Sequence, residues 1–259
     1  MEPEKILIQK EGKTAVATMN NPPANALSPA LRDEFIEKLK VLSADNDVWV
    51  VIVTGAGEKF FAAGADIPTL LDLDRESGLA RVRKSREFYS AIANFEKPVI
   101  AAINGICLGG GLEVALACDI RVAADHAKLG LPEVNLGLIP GAGGTQRLPR
   151  AVGPGWGNHL LFTGDAIPAQ KALDIGLVQA VVPAEGLLDE ALGIAARINK
   201  KGPLAVRAAK RASSRGLHEP LEKGLDLENQ AFADVCCTWD KNEGVSAFLE
   251  KRKPEFRGE

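Results

Sequence analysis

The chain of 259 residues has few of the side chains that bind transition metals. Four cysteines and three histidines are scattered along it, and no two cysteines have the C-x-x-C spacing. We therefore expect no zinc site. The start of the chain also lacks the apolar stretch of a secretory signal peptide. We accordingly expect a reduced protein of the cytoplasm.

An excess of positive charge is also missing. Lysine and arginine total 31 against 34 aspartates and glutamates, which gives a formal net charge of -3, and no basic stripe stands out. Nucleic acid is therefore not the expected partner. Apolar residues make up 46% of the chain and charged residues 25%, a balance typical of a folded globular protein.

One apolar run has the length of a membrane span but not its composition. Residues 99–118 carry a single charged side chain, Glu113. They also contain Asn104 and a cluster of glycines. A carboxylate at bilayer depth costs roughly 2.5 kcal/mol or more. We therefore expect a buried strand, a tight glycine loop and a buried helix, and no membrane partner.

Short β-branched runs alternate with helical patterns over the first part of the chain. After an N-terminal hairpin over residues 6–18, buried strands are predicted at 48–53, 99–103, 120–123 and 178–182. Ser28 followed by Pro29 predicts the start of a helix. The face that this helix buries is formed by Leu31, Phe35, Leu39 and Leu42. The alternation of strands and helices indicates an α/β domain.

The composition changes near residue 185. From there on only helical patterns are found, at about 186–200, 203–215, 220–238 and 240–251. No strand-like run follows Val182. We therefore expect an α/β core over residues 1–195 and a helical region over residues 196–259.

Three glycine-rich segments follow a strand or begin a helix, at residues 60–67, 104–113 and 140–147. None of them has the Walker pattern or the G-x-G-x-x-G fingerprint of nucleotide-binding loops. The G-x-S-x-G turn of serine hydrolases is absent as well. The remaining use of such loops is an oxyanion hole, in which backbone N–H groups face an oxygen that gains negative charge.

Two glutamates lie beside these loops. Glu113 falls in the first turn of a helix that begins at Gly109–Gly111, where unpaired N–H groups and the helix dipole favour an anion. Glu133 is an isolated acid in the apolar segment 130–137. Alone, each has a structural explanation: Glu113 as a first-turn acid that favours the helix dipole, and, with more weight, Glu133 as a surface loop carboxylate. Together, two carboxylates that flank one reacting carbon are what addition of water to a double bond requires.

These segments resemble the crotonase, or enoyl-CoA hydratase/isomerase, superfamily, and its hydratases most closely. The most specific stretches are Phe61–Asp66, Asn104–Glu113 and Leu131–Leu148, and the resemblance extends from residue 21 to residue 256. It implies a crotonase/ClpP-like spiral of ββα units with a C-terminal helical region used in oligomerisation. A homotrimer or homohexamer is expected. No separate cofactor is expected, because CoA is part of the substrate.

The resemblance also implies roles for individual residues in the conversion of a trans-2-enoyl-CoA to a 3-hydroxyacyl-CoA. The backbone N–H groups of Ala65 and Gly110 would hold the thioester oxygen as it becomes an enolate. Glu133 would protonate C2, and Glu113 would activate the water that attacks C3. Gly141 would lie near that water, and Lys251 would reach a neighbour's CoA. The full set of expected substrate-binding residues is Ala24, Ala26, Leu27, Ala63, Gly64, Asp66, Ile67, Gly141 and Lys251.

Several alternatives remain open at this point. A Δ3-Δ2-enoyl-CoA isomerase would use the same oxyanion hole, although the presence of both glutamates favours a hydratase. A hydratase of branched or cyclic enoyl-CoA would preserve every motif. An RNA-binding or structural member of the fold is disfavoured by the net negative charge and by the two glutamates. Acyl length and pathway, such as fatty-acid oxidation, are not determined.

The acyl pocket is expected to come partly from the segment 68–88. Leucines of this segment either line the pocket or pack the helix, and they are Leu70, Leu71, Leu73 and Leu79.

Overall fold

The computed structural model of the chain describes residues 3–63 and 70–259. Within these residues ten strands form two sheets. In chain order the strands are β1 (Ile6–Glu11), β2 (Thr14–Met19), β3 (Val50–Gly55), β4 (Phe60–Ala63), β5 (Val99–Ile103), β6 (Ile106–Leu108), β7 (Ile120–Ala124), β8 (Lys128–Gly130), β9 (Ala166–Pro168) and β10 (Ala180–Val182).

Helices connect these strands and form the C-terminal part of the chain. They are α1 (Pro29–Ala44), α2 (Arg75–Ala93), α3 (Gly110–Ala117), α4 (Gly144–Thr163), α5 (Ala169–Asp174), α6 (Leu187–Ile198), α7 (Pro203–Gly216), α8 (Leu221–Cys236) and α9 (Trp239–Leu249). Two short 3-10 helices, Pro132–Leu136 and Ala184–Gly186, lie between them. The expected α/β organisation is confirmed.

The larger sheet has the strand order β1-β2-β3-β5-β7-β10 and is parallel except for the β1–β2 hairpin. Its central strands are covered on both faces, which explains their unbroken apolar sequence. Along β3, Val51 and Val53 join the core formed with α1, α2 and α3. Val50 and Ile52 point the other way and pack against residues of α6. All four strands predicted from the sequence are present, although the last of them, β10, is an edge strand that is only partly buried.

The smaller sheet was not predicted. Its order is β4-β6-β8-β9, with the first three strands parallel and β9 antiparallel. These strands have only three or four residues and lie next to the glycine-rich segments, so their sequence has the character of loops. The register aligns Ala63 with Leu108 and Leu108 with Gly130. The carboxyl ends of β4, β6 and β8 therefore meet at one edge.

The helix predicted after Ser28 is present as α1. The Ser28 side chain accepts a hydrogen bond from the Leu31 N–H at 3.3 Å, and Pro29 occupies the first helical position. All four leucine and phenylalanine positions predicted for its inner face are buried. At the other end of α1, the fully buried Lys97 donates hydrogen bonds to the carbonyls of Leu42 and Asp45, at 2.6 and 2.8 Å. Lys97 thus pairs the Leu42 carbonyl, in the last turn of the helix, and adds a second donor to the Asp45 carbonyl, which also accepts from the Val48 N–H at 3.1 Å.

The long apolar run 99–118 forms β5, β6 and α3, as expected for a buried strand, turn and helix. Across the parts of the chain that the structure describes, no helix is long and apolar enough to span a bilayer.

The C-terminal helices α6 to α9 correspond to the four predicted helical patterns. No strand follows Val182 in the described part of the chain. Residue 195, where the sequence predicts the boundary between core and helical region, lies inside α6, and α6 packs on the larger sheet. The two predicted regions therefore share this helix, and the boundary itself stays a prediction.

The buried Lys97 provides a test of this packing. We expect Lys97→Met to lower the free energy of unfolding by about 1–3 kcal/mol, because the Leu42 carbonyl at the end of α1 loses the Lys97 donor. Lys40→Met is the matched control, since Lys40 forms only an exposed ion pair with Glu37 on the same helix, and its loss should cost less than about 1 kcal/mol. Urea denaturation measures both values, and equal losses in the two variants would contradict the assignment.

Candidate active site

The candidate site lies where the carboxyl ends of β4, β6 and β8 meet. Leu108 at the end of β6 is in register with Ala63 on one side and Gly130 on the other. The N–H of Gly109 continues this pairing by donating to the carbonyl of Gly130 at 2.9 Å. The ends of these three strands therefore lie side by side. The chain continues from β6 into Gly110 and Glu113 and from β8 into Glu133.

The start of α3 presents backbone N–H groups to this edge. Gly109 precedes the helix with φ +55°, a conformation that favours glycine, and no side chain caps the helix. The first N–H groups of a helix, including that of Gly110, have no acceptor within the helix. A side chain on Gly111 would collide with the carbonyl oxygen of Ala62, so glycine allows α3 to pack directly on β4. The helix terminus thus lies close to the end of that strand.

The second predicted donor of the oxyanion hole, the N–H of Ala65, lies outside the described residues. The same holds for the predicted substrate-binding residues Gly64, Asp66 and Ile67. The strand that leads into them ends at Ala63, whose N–H donates to the carbonyl of Ala24 at 3.0 Å.

This bond brings the predicted segment Ala24–Leu27 next to the end of β4. Ala24 and Ala26 are partly exposed and Leu27 is buried. The buried Asn25 fixes the segment by donating to the carbonyl of Phe60 at 2.9 Å.

Glu113 is buried in the first turn of α3 with 4% of its surface exposed. Its Oε1 accepts hydrogen bonds from the N–H groups of Ala142 and Gly144, both at 2.8 Å. Burial raises the pKa of Glu113, while these two N–H groups and the positive charge of Arg147 oppose that rise. The carboxyl group is therefore held in one orientation by the backbone at the start of α4.

Gly144 makes this contact possible. A Cβ atom at this position would stand 2.7 Å from Pro140 Cβ and 2.9 Å from Leu131 Cδ1. Any side chain would therefore push the first turn of α4 away from Glu113. Gly144, in the third glycine-rich segment, thus serves to orient the carboxylate of Glu113.

Glu133 lies in the 3-10 helix that follows β8 and is less buried than Glu113. Its Oε2 is shielded from solvent and has no hydrogen-bond partner among the described residues. Burial raises the pKa of Glu133 to about 7, with a smaller contribution from the negative charge of Glu113 and an opposing one from its own backbone N–H. The side chain is thus suited to carry a proton near neutral pH.

The two remaining predicted residues lie in different places. Gly141 is in the exposed turn before α4, next to the Ala142 N–H that binds Glu113. Lys251 is an exposed residue just after α9, with φ +55°, and its N–H donates to the carbonyl of Phe248. No hydrogen bond or ion pair joins Lys251 to the other predicted site residues that the structure describes. Its assignment to a neighbour's substrate stays a prediction.

Three residues at the site were not assigned a role from the sequence. Tyr89 on α2 is buried beside Gly110, and Arg147 on α4 donates to the carbonyl of Ala142 at 2.9 Å. Val82 on α2 approaches Gly141, since a Cβ there would stand 2.8 Å from Val82 Cγ1. Arg147 was part of the third glycine-rich motif, but nothing in the sequence distinguished Tyr89 or Val82 from other helix residues.

The leucines proposed for the acyl pocket differ in exposure, and their role as pocket lining stays a prediction. Leu71 is 86% exposed and Leu79 is 42% exposed, while Leu70 and Leu73 are partly exposed. Val82, in the same segment, is the residue that lies against the site.

Comparisons with known proteins agree with this geometry. The sequence profile of the enoyl-CoA hydratase/isomerase family matches residues 9–259. The crotonyl-CoA hydratase of Syntrophomonas wolfei is 46% identical over 257 residues, with 98% of each chain covered. The short-chain-enoyl-CoA hydratase of Clostridium acetobutylicum is 43% identical over 256 residues, again with 98% of each covered. The crystal structure of an enoyl-CoA hydratase from Bacillus anthracis is 44% identical, has a TM-score of 0.94, and is matched over 99% of this chain and 100% of that one.

This chain therefore belongs to the enoyl-CoA hydratase/isomerase family. The resemblance and the crotonase fold predicted from the sequence are both confirmed. Over residues 3–63 and 70–259, no group of three or more His, Cys, Asp or Glu side chains is placed to hold a metal ion.

Proposed function

We propose that this protein is an enoyl-CoA hydratase that adds water to short trans-2-enoyl-CoA thioesters and forms 3-hydroxyacyl-CoA. The observation that carries the proposal is the pair Glu113 and Glu133, a buried and a partly buried carboxyl group in different environments, on the segments that follow β6 and β8. Relatives that are 43% to 46% identical over nearly the whole chain carry the names of short-chain hydratases. No cofactor apart from the CoA of the substrate is needed.

The first element of the mechanism is stabilisation of the enolate. The N–H of Gly110 at the start of α3, together with the N–H of Ala65, holds the thioester oxygen and stabilises the negative charge that develops on it. The dipole of α3 acts in the same direction. Loss of one such donor typically costs about 2.7–4 kcal/mol of transition-state stabilisation.

The second element is a division of labour between the glutamates. Glu113, with one oxygen held by two N–H groups, positions the water and accepts its proton as the oxygen attacks C3. Glu133 delivers a proton to C2, for which its raised pKa keeps it protonated up to about neutral pH. The C2=C3 double bond becomes a single bond, and one proton and one hydroxide equivalent are added.

An isomerase is the alternative within the family. It would need one carboxylate to move a proton between C2 and C4, and water would have to be kept out. The second carboxylate, Glu113, is instead fixed in an orientation suited to holding water. The hydratase names of the relatives point the same way.

The activity is tested directly with crotonyl-CoA, whose conjugated thioester absorbance disappears on hydration. We expect Glu113→Gln and Glu133→Gln each to lower kcat by about 10²–10⁴-fold, because each removes a proton transfer. Binding of the saturated analogue butyryl-CoA should change little. Glu37→Gln on the exposed face of α1 serves as the control and should retain full activity.

Full turnover in either active-site variant would contradict the two-carboxylate mechanism. Turnover of a 3-enoyl-CoA that depends on Glu133 alone would instead support the isomerase.

The pH dependence of kcat/KM for crotonyl-CoA should have two limbs. Above about pH 7 the rate should fall, because Glu133 loses the proton that it must donate. On the acid side it should fall as Glu113 becomes protonated, at a pH above the ordinary value for glutamate, since burial raises the pKa of Glu113. The Glu133→Gln variant should lose the alkaline limb from its residual activity. An alkaline limb that persists in this variant would assign it to another group.

We further propose that the protein is a cytoplasmic homotrimer or homohexamer. All four cysteines are free, which agrees with a reducing compartment. The helices α7 to α9 and the turn after α7 expose large apolar side chains, among them Leu217, Phe232 and Phe248, which are 82%, 70% and 83% exposed in the single chain. Light scattering should give a mass three or six times that of the 27.5 kDa chain, and a monomer at micromolar concentration would refute the assembly.

A further inference from the structure

The chain contains a single tyrosine, Tyr89, and the proposed mechanism gives it no role. Tyr89 lies near the end of α2 and is 4% exposed. Its hydroxyl lies next to the start of α3.

The phenol oxygen occupies the space that a side chain of Gly110 would fill. A Cβ atom on Gly110 would stand 2.7 Å from the Tyr89 Oη and 3.2 Å from Leu27 Cδ1. The next ring atom, Cζ, would be 4.0 Å away, which is an ordinary van der Waals distance. Of the two Tyr89 atoms, it is thus the hydroxyl oxygen, and not Cζ, that stands too close for a side chain on Gly110.

The ring itself cannot shift away from α3. It packs edge-on against Phe88 with a centroid separation of 5.0 Å, and Phe88 packs in the same way against Phe35 of α1 at 5.4 Å. Both phenylalanines are buried. The hydroxyl is therefore held in place by two helices, and its position relative to Gly110 is set by the core.

The phenol stays protonated at every working pH. Burial raises the pKa of Tyr89, and the negative charges of Glu113 and Glu133 raise it further.

We propose that Tyr89 is a positioning residue, whose hydroxyl supports Gly110 from behind and fixes the N–H that polarises the substrate thioester. This inference rests on the proposed function. The hydroxyl takes the place of the missing side chain, so the first turn of α3 cannot move towards α2 when charge develops on the thioester oxygen. A displaced donor loses much of its effect, since a misplacement of about 1 Å can reduce catalysis by up to 10²-fold.

The first experiment uses Tyr89→Phe, which removes only the hydroxyl. We expect kcat for crotonyl-CoA to fall about tenfold and KM to change less than twofold. Bound 4-(dimethylamino)cinnamoyl-CoA, which absorbs at longer wavelength when its carbonyl is polarised, should lose part of its red shift. Ser85→Ala is the control, because it removes a hydroxyl one helical turn earlier that bonds Arg32, and it should leave kcat and the red shift unchanged.

The second experiment is a double-mutant cycle with Gly110→Ala. Alone, this variant should lose about 100-fold or more in kcat, because the new Cβ collides with the Tyr89 hydroxyl and displaces the N–H. In the double variant with Tyr89→Phe the methyl group faces Cζ at an ordinary distance, and kcat should recover about tenfold or more over Gly110→Ala. Loss of the Tyr89 hydroxyl would then lower kcat in the wild-type protein but raise kcat in Gly110→Ala.

Each outcome separates the inference from the proposed function. If the wild-type protein hydrates crotonyl-CoA and Tyr89→Phe matches it in kcat and in red shift, the positioning role is wrong. Independent, multiplicative effects in the cycle would overturn it as well. If the wild-type protein polarises the probe but hydrates nothing, and Tyr89→Phe weakens the polarisation, the positioning role stands and the hydratase proposal fails.

Discussion

The parallel pairing of β4, β6 and β8 is the constraint on which the site depends. Each strand is only three or four residues long, yet their shared register brings Ala63, Leu108 and Gly130 to one edge. The chain continues from β6 into the start of α3 and from β8 into the short helix with Glu133, while Ala65 follows β4 in the sequence. A slip of one residue in any pair would rotate the side chains to the opposite face and separate these parts.

Glu113 and Glu133, which follow β6 and β8, have the same side chain but different surroundings. Glu113 is almost fully buried, but two backbone N–H groups bind one of its oxygens. Glu133 is less buried, but one oxygen is shielded from solvent without a partner among the described residues, and its pKa rises to about 7. Hydrogen bonding, and not burial alone, therefore decides which carboxyl group tends to hold a proton.

The sequence was informative where a pattern extends over several residues. The β-branched run of β3, the cap at Ser28 and the inner face of α1 all have a period or a signal that local physics produces. The interpretation of the glycine-rich loops as an oxyanion hole was reached by excluding the phosphate-binding motifs and the serine-hydrolase turn. Both glutamates were found because an isolated acid in an apolar stretch is conspicuous.

The parts that were missed are those with no local signal. Strand β6 is three residues between glycines, too short to show alternation. The donors to Glu113 are backbone N–H groups of Ala142 and Gly144, and a backbone group leaves no trace in side-chain identity. The contact between Tyr89 and Gly110 depends on how α2 packs against α3, which is decided by the whole core. Such contacts become visible only when the chain is folded.

The bonds from Glu113 to Ala142 and Gly144 also tie together two helices that are distant in the chain. Active-site groups commonly reduce stability, because they are held in positions that suit chemistry better than folding. For Glu113 the hydrogen bonds from the start of α4 offset part of this cost, although burial still raises its pKa. For Glu133, whose Oε2 has no partner among the described residues, no such bond offsets the cost at that oxygen.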